Sequence, residues 1–260
     1  MSRISLQMYT MRDYMQSPEQ IESTFQHLAT IGYRNIQPIL PGFMSTADFR
    51  TLLDAYGLQA DSFSYTAPDI TEQIDTLYRT AEILDTNIVR TGSISREQAM
   101  SREGFQRYAE EINTKGRVLH NHSLVYTYHF HAYEYVNFGD CTGMDILLRE
   151  TDPDYVHFQP DTHWMAAAGV EPSVGLHAYT GRMEYVHMQG YAIIPNNDSS
   201  EEVPRRIVPV GEGNLNWPGI ITTGDALGVR LYVVEQDYCL GDTFDCIRTS
   251  FNNLRKLGVE

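Results

Sequence analysis

The chain of 260 residues has few cysteines and no long apolar run. Its three cysteines, Cys141, Cys239 and Cys246, are odd in number and none lies in a CxxC pair, so neither a disulfide framework nor a zinc knuckle is expected. No segment reaches the roughly 18 apolar residues of a membrane span. The N-terminal residues MSRISLQMYTMRDYM also lack an apolar stretch of signal-peptide length. These absences favour a protein of the reducing cytoplasm.

Basic residues are scarce as well. Lysine and arginine together number 19 against 34 acidic residues, which gives a formal net charge of −15. Such a charge repels nucleic acid and anionic membrane surfaces, so neither is expected as a partner. The sequence leaves self-association into a homo-oligomer open. A hydrophobic content of 42% is ordinary for a globular protein, and the fold must therefore be predicted from pattern.

Glycine-rich phosphate-binding motifs are absent too, since neither GxGxxG nor GxxxxGK[ST] occurs. This argues against a doubly wound nucleotide-binding sheet. Short β-rich runs instead alternate with helical patterns along the whole chain, which is typical of parallel βα units. Because 260 residues is the usual size of one (β/α)₈ barrel, we predict a single TIM barrel domain over residues 1–260. Its strands are expected at Ile4–Tyr9, Asn35–Ile39, Leu58–Ser64, Asn87–Thr91, Leu124–Phe130, Tyr155–Asp161, Met183–Met188 and Leu231–Gln236.

The segments between these runs carry helix signals. Ser17 and Pro18 suit the N-cap and first position of a helix that Gly32 would end. Residues 96–116 predict a fourth helix ended by Gly116. Tyr191–Asn216 is the longest irregular stretch and follows the seventh strand, so we interpret it as a lid over the barrel mouth.

Titratable residues end the later strand-like runs. In parallel barrels the active residues lie at the C-terminal ends of the strands, and Asp161, His187 and Glu235 each end an apolar run. Three such endings in succession are costly to explain as packing, because buried unpaired charge is unfavourable. We therefore predict that these side chains meet at the mouth of the barrel.

The fifth strand runs into YHFHAYEY at residues 128–135, which contains His129, His131 and Glu134. Simple alternation along a strand puts the two histidines on one face and Glu134 beyond the strand. The residues alone thus leave open which of the three joins the site.

Several motifs occur in an order and spacing that resemble one protein family over nearly the whole chain. The motifs are LQMYTMRD at 6–13, IGYRNIQ at 31–37, YHFHAYEY at 128–135, FQPDTHW at 158–164, GRMEYVHMQ at 181–189, VGEGNLNWPGI at 210–220 and VVEQD at 233–237. With these motifs the chain is similar to the sugar phosphate isomerase/epimerase superfamily, the xylose isomerase-like barrels that include inosose dehydratase.

The resemblance implies a metal quartet of Glu134, Asp161, His187 and Glu235. Such hard oxygen donors with one imidazole suit Mn²⁺, Mg²⁺ or Co²⁺ and admit Zn²⁺. The implied activity is isomerisation or epimerisation of a keto-sugar, sugar phosphate or inosose through a metal-stabilised enediolate. Glu134, Glu235 and His131 are the predicted catalytic groups that exchange the proton. A metal-dependent lyase or dehydratase is nearly as well supported, and a non-catalytic sugar-binding barrel is a further alternative.

The chain departs from the resembled pattern at the predicted substrate site. Many relatives carry a glutamate where this chain has Gln37, and a Lys-Asp pair where it has Gln189 and Gly190. A glutamine can neither act as a general base nor supply a cationic charge. The predicted substrate-binding residues are His129, Trp164, Gln189, Gln37 and Arg12, with Arg182 assigned to a structural ion pair because it precedes its strand.

Overall fold

The computed structural model of the chain describes residues 2–65, 70, 72–195 and 205–260. The strands are β1 (Ile4–Gln7), β2 (Asn35–Gln37), β3 (Gln59–Ala60), β4 (Phe63–Tyr65), β5 (Ile88–Thr91), β6 (Val125–His129), β7 (Val156–Gln159), β8 (Tyr185–Met188), β9 (Ala192–Ile193), β10 (Arg205–Arg206) and β11 (Leu231–Val234). The α-helices are α1 (Pro18–Ile31), α2 (Thr46–Ala55), α3 (Ile74–Leu84), α4 (Arg102–His120), α5 (Gly143–Glu150), α6 (Thr162–Ala167), α7 (Pro172–Gly175), α8 (Trp217–Ala226) and α9 (Thr243–Lys256). Short 3₁₀ helices cover Met8–Tyr14, Gln98–Met100, Ala132–Tyr135 and Leu176–Tyr179.

The parallel strands follow one another in chain order around two sheets. Parallel pairing gives one sheet of order β3-β2-β1-β11-β8 and a second of order β4-β5-β6-β7. At one junction, the third predicted strand is split at Asp61 and Ser62, so that β3 pairs with β2 and β4 pairs with β5. At the other junction a parallel bridge joins Asp161 to His187, and the His187 N–H donates to the Pro160 carbonyl at 2.8 Å. The predicted TIM barrel is confirmed, whereas its being one domain over residues 1–260 stays a prediction.

Local sequence signals set the helix boundaries. Ser17 caps α1 by accepting a hydrogen bond from the Gln20 N–H, Pro18 occupies the first turn, and Gly32 ends the helix with φ of 123°. A positive φ is strained for residues with a side chain and easy for glycine. The capping signals read from the sequence therefore operate as predicted for α1.

Two cores of different character lie on the two faces of the barrel wall. The outer face packs against the helices through large side chains such as Phe25, Phe105 and Phe158. The barrel interior holds only a small apolar layer built on Ile88, Tyr185 and Val233. Polar residues occupy the interior above that layer, which leaves the C-terminal mouth available for a site. Within the described residues, no helix has both the length and the apolarity to cross a membrane.

The predicted lid is described only at its two ends. Ala192–Ile193 (β9) pairs antiparallel with Arg205–Arg206 (β10), and the Asn214 N–H donates to the Tyr191 carbonyl at 2.8 Å. Residues 196–204 lie outside the described residues. The lid role of Tyr191–Asn216 therefore stays a prediction.

The prediction that Gly116 ends the fourth helix is wrong. Helix α4 continues through Gly116 to His120. The residue is needed for close approach, because a Cβ atom at this position would lie 2.4 Å from the backbone oxygen of Tyr155. Gly116 thus serves the packing of α4 against the segment that leads into β7.

We expect Gly116→Ala to destabilise the fold by about 1–3 kcal/mol, since an inserted methyl group in a packed contact forces the backbone apart. Urea unfolding of the unmodified protein and of Gly116→Ala measures the loss in the free energy of unfolding. Thr114→Ala, a change at an exposed position of the same helix, should alter the free energy of unfolding by less than about 0.5 kcal/mol. Equal stability of both variants would show that α4 can shift without cost.

Candidate metal centre

Four buried side chains converge at the C-terminal mouth of the barrel. His129 ends β6, Asp161 follows β7, His187 lies in β8 and Glu235 follows β11. One candidate ligand atom from each of the four lies within 4.8 Å of the others. Three of these residues, Asp161, His187 and Glu235, are those that the strand-end rule predicts.

Each of the four residues has one buried polar atom without a hydrogen-bond partner. These atoms are His129 Nδ1, Asp161 Oδ2, His187 Nδ1 and Glu235 Oε2. His187 Nδ1 lies 2.6 Å from Glu235 Oε2 and 3.9 Å from Asp161 Oδ2, without the alignment of an N–H···O hydrogen bond. Buried polar atoms are normally satisfied, because leaving them unpaired is costly. Four such atoms facing one point form a set of donors suited to a cation.

Neighbouring hydrogen-bonding groups hold two of the candidate ligand side chains in position. Asp161 is the N-cap of α6, where Oδ1 accepts from the Trp164 N–H at 2.9 Å and leaves Oδ2 directed at the cluster. His187 Nε2 lies 2.8 Å from Gln37 Oε1. Because an amide oxygen only accepts, Nε2 carries the proton and Nδ1 keeps its lone pair for a metal. Gln37 therefore supports the cluster by orienting His187 and fixing its tautomer.

Gln37→Leu is expected to lower metal affinity about 10- to 100-fold, because it removes the acceptor that orients His187. Gln37→Glu keeps an acceptor and should bind metal at least as tightly as the unmodified protein. Chelator competition, followed by metal analysis, measures both affinities. Equal affinities in the two variants would exclude the orienting role.

The electrostatics of the cluster also favour binding of a cation. Burial raises the pKa of Asp161 well above its ordinary value, and the negative charge of Glu235 adds to this. Burial lowers the pKa of His129 and of His187 well below the ordinary value. Both imidazoles are thus neutral donors, while the Asp161 carboxylate lacks compensating positive charge. A bound divalent ion would supply that charge.

Glu134 lies outside this cluster. Its carboxylate is buried, Oε1 accepts from the Tyr128 hydroxyl, and Oε2 accepts from the His131 N–H at 2.9 Å. Burial raises the Glu134 pKa to about 7. Both oxygens are therefore engaged in holding the turn after β6. His129 joins the cluster where the family resemblance implies Glu134, and the ligand role of either residue stays a prediction.

His131, predicted to be catalytic, and Trp164, predicted to bind substrate, lie beside the centre, and both roles stay predictions. The His131 ring lies 4.9 Å from that of His129, and its Nδ1 lies 3.1 Å from Ser93 Oγ. The Trp164 ring meets His131 edge to face at 5.2 Å. Gln189 is buried, and both polar atoms of its amide lack partners.

The two arginines considered from the sequence bind backbone groups. Arg12 stacks over the Tyr9 ring at 4.3 Å and donates to the carbonyls of Tyr9 and Asp237 at 2.9 and 2.8 Å. Arg182 donates to carbonyls of Leu148 and Val156. Arg12 thus ties together the loops after β1 and β11, and the partners of Arg182 are carbonyl oxygens and the Thr151 hydroxyl in place of the expected carboxylate.

Sequence reasoning missed several polar residues around the centre. Gln159 pairs in register with His129, and Gln236 follows Glu235; both amides are buried with no partner for either polar atom. Both glutamines stand at the C-terminal ends of strands, the positions where the active residues of TIM barrels lie. Arg90, buried inside the barrel, was detectable as a charge within the strand run IVRT.

A cavity of about 520 Å³ opens beside the centre. Its walls are Ala132, His163, Trp164, Ala167, Tyr191, Arg205, Ile207, Asp237 and Tyr238. A larger cavity of about 870 Å³ lies at the opposite end of the barrel, around Asn35, Asp61 and Tyr185. None of the side chains lining that larger cavity has a buried polar atom without a partner. The unpartnered atoms of the four clustered residues and of Gln159, Gln189 and Gln236 lie instead at the C-terminal mouth.

Comparison with known proteins places the fold. No model of a known protein family matches the chain. Inosose dehydratase from Geobacillus kaustophilus is 27% identical over 92 residues, which span 35% of this chain and 29% of that protein. A sugar phosphate isomerase/epimerase from Parabacteroides distasonis has a TM-score of 0.78 at 16% identity, with 100% of both chains covered.

Two further solved structures have the same architecture. A probable 3-DHS dehydratase from Bacillus anthracis has a TM-score of 0.72 at 17% identity, covering 97% of this chain and 98% of its own. A xylose isomerase-like TIM barrel protein from Mycobacterium smegmatis, solved with magnesium, has a TM-score of 0.68 at 17% identity, covering 98% and 95%. The chain has the fold of the xylose isomerase-like TIM barrels. The resemblance predicted from its motifs is confirmed, and at these identities it establishes the fold.

Proposed function

We propose that the protein is a divalent-metal-dependent isomerase or epimerase that moves a proton beside the carbonyl of a keto-sugar, sugar phosphate or inosose. The observation that carries this proposal is the convergence of four buried ligand atoms without partners, from His129, Asp161, His187 and Glu235. The similarity in fold to a sugar phosphate isomerase/epimerase supports the reaction class.

His129, Asp161, His187 and Glu235 would hold the metal. Two imidazole nitrogens and two carboxylate oxygens suit Mn²⁺, Co²⁺ or Zn²⁺ better than the all-oxygen preference of Mg²⁺, although a structure of similar fold contains magnesium. Such an ion would polarise adjacent carbonyl and hydroxyl oxygens of a sugar and so acidify the hydrogen between them.

We assign the proton-accepting role to Glu235. Of the two carboxylates in the cluster, Asp161 is fixed at the start of α6 through Oδ1. Glu235 instead begins the loop whose residues Asp237 and Tyr238 line the adjoining cavity. It is thus the carboxylate on the side from which a substrate would enter.

Return of the proton on the opposite side is assigned to His131. Its ring stands next to His129, is linked to Ser93 Oγ and touches Trp164 at the cavity wall. Glu134, the other predicted catalytic group, has both oxygens engaged by Tyr128 and the His131 backbone. Glu134 therefore positions His131 and does not itself transfer protons.

A dehydratase is the second candidate, and the engagement of Glu134 favours it. A reaction that needs two carboxylates on opposite faces of the sugar loses one of them here, whereas expulsion of a β-hydroxyl needs one base and one proton donor. The local match to inosose dehydratase and the fold of a probable dehydratase agree with this alternative.

Proton exchange tests the proposal directly. With Mn²⁺ bound, a panel of keto-sugars, their phosphates and inososes in deuterated buffer should include a compound that gains deuterium beside its carbonyl, as seen by NMR. Chelation should stop the exchange and lower the melting temperature, because an ion bound only to the folded state stabilises it. Exchange without loss of water identifies an isomerase or epimerase, and loss of water a dehydratase. Tight sugar binding without exchange would contradict both and support a non-catalytic barrel.

A further inference from the structure

A continuous wall of aromatic rings runs along one side of the barrel mouth. Tyr133 stacks on His131 at 5.4 Å, His131 meets Trp164 at 5.2 Å, Trp164 meets His163 at 5.0 Å, and His163 meets Tyr191 at 5.3 Å. We call these five residues the aromatic wall. It begins beside the metal centre, where the His131 ring lies next to that of His129. It ends in the loop after β8.

The cavity of about 520 Å³ lies against this wall. Three wall residues, His163, Trp164 and Tyr191, line it together with Asp237 and Tyr238. None of the four cluster residues lines it. The cavity is therefore separate from the metal centre, where the reacting atoms of the substrate would lie. Its volume falls within the range of about 300–1,000 Å³ typical of small-molecule sites.

The cavity combines ring faces with planar polar groups. Trp164 and the tyrosines offer apolar faces, while Asp237, Arg205 and the tyrosine hydroxyls offer hydrogen bonds. At its edge Tyr238 keeps 43% of its surface exposed to solvent. A sugar ring presents the matching surfaces, with C–H groups on its faces and hydroxyls around its rim.

Positive charge is sparse around this space. The two lysines of the chain, Lys115 and Lys256, lie on α4 and α9, and the residues outside the described ranges contain neither lysine nor arginine. Arg12 donates to backbone carbonyls, and Arg205 shares the cavity with the carboxylate of Asp237. The inner polar groups without partners include the neutral amides of Gln159, Gln189 and Gln236, with the Arg90 guanidinium deeper in the barrel, where it also donates to Ser64 Oγ. This environment fits hydroxyl groups better than a phosphate.

We propose that the cavity binds a second, uncharged sugar ring, so that the substrate is a disaccharide or glycoside whose reacting ring lies at the metal centre. The proposal rests on the proposed function for the position of the reacting ring. It extends that function by naming the substrate class and the residues that recognise it. Trp164 then stacks on the second ring.

The proposal is tested by isothermal titration of the Mn²⁺-loaded protein with four disaccharides, each compared with glucose. The disaccharides are maltose, cellobiose, laminaribiose and trehalose. At least one disaccharide should bind at least tenfold more tightly than glucose. Trp164→Ala should remove that gain and keep the metal content. Tyr238→Ala, which removes a side chain that lines the cavity, should reduce the gain as well.

The chain provides a direct optical reporter, because it has two tryptophans. Trp217 is buried in α8 and donates through Nε1 to the Glu212 carbonyl at 2.9 Å, so Trp217→Phe leaves Trp164 as the sole emitter. This variant should retain the tenfold gain, and its emission should shift when the disaccharide binds but not when glucose binds.

Failure of either proposal is distinguishable from failure of the other. If no disaccharide exceeds glucose, if the gain survives in Trp164→Ala, or if Trp164 emission is unchanged at saturation, the second-ring site is excluded. Deuterium exchange on free keto-sugars together with that result would leave the proposed function intact. Tight disaccharide binding without exchange in any sugar would support the second-ring site and exclude the proposed reaction.

Discussion

Glu235→Gln is expected to lower the affinity for a divalent metal by more than a hundredfold. The change preserves the size of the side chain but removes one of two negative charges in a cluster whose other members are neutral imidazoles. Loss of a residue that only orients a ligand typically costs about 10- to 100-fold in affinity, and loss of an anionic ligand should exceed this. At limiting Mn²⁺ the purified variant should therefore contain almost no metal.

Glu212→Gln is the matched control for that measurement. Glu212 is exposed, and its described hydrogen bonds are made by its backbone, from its N–H to the Pro209 carbonyl and from Trp217 Nε1 to its own carbonyl. This variant should keep full metal occupancy and an unchanged melting temperature. Metal analysis after dialysis against buffered Mn²⁺ compares the two proteins. Equal metal content would contradict the assignment of Glu235 and the proposed function with it.

The strands of the barrel were predictable because their signal is local. Runs such as Leu231–Gln236 and Met183–Met188 are mostly apolar, as buried parallel strands are, and the structure places β11 and β8 within them. The split of the third strand was not predictable. It depends on which neighbour each half pairs with, and β2 and β5 lie far from it in sequence.

The error at Gly116 has a similar cause. A glycine at the end of a periodic pattern ordinarily indicates a helix stop, and the pattern cannot show that Tyr155 lies against the helix at that point. Local sequence therefore indicates that a glycine is needed without indicating whether conformation or contact requires it.

Three of the four clustered residues were predictable from position, since Asp161, His187 and Glu235 end apolar strands. The fourth depends on the turn after β6, where His131 and Glu134 form a capping box. Alternation indicated the histidine face, whereas the family motif indicated Glu134. The structure agrees with alternation, because a strand fixes side-chain direction and the turn beyond it turns Glu134 toward Tyr128.

The surrounding amides gave no comparable signal. Gln159 and Gln236 are uncharged, and a neutral side chain at a strand end is far less unusual than a carboxylate there. Only their burial without partners distinguishes them, and burial is a property of the assembled barrel.

The family motif and the structure imply different ligands at the end of β6, and two substitutions distinguish them. His129→Ala should lower metal affinity by more than a hundredfold, because it removes a buried nitrogen that faces the cluster. Glu134→Gln should keep metal affinity within about threefold, since both carboxylate oxygens point to Tyr128 and the His131 N–H. Glu134→Gln should instead lower the free energy of unfolding by about 1–3 kcal/mol. The glutamine NH₂ would face one of the two donors whose hydrogen bonds the carboxylate accepted.

Chelator competition and urea unfolding on the same two proteins separate these roles. If Glu134 were the ligand that the motif implies, Glu134→Gln would lose metal with little change in the metal-free stability, and His129→Ala would retain it. The expected pattern is the reverse, with the metal loss in His129→Ala and the metal-independent loss of stability in Glu134→Gln. A metal loss of similar size in both variants would mean that the turn after β6 rearranges when the ion binds, and would contradict the positions of both side chains described above.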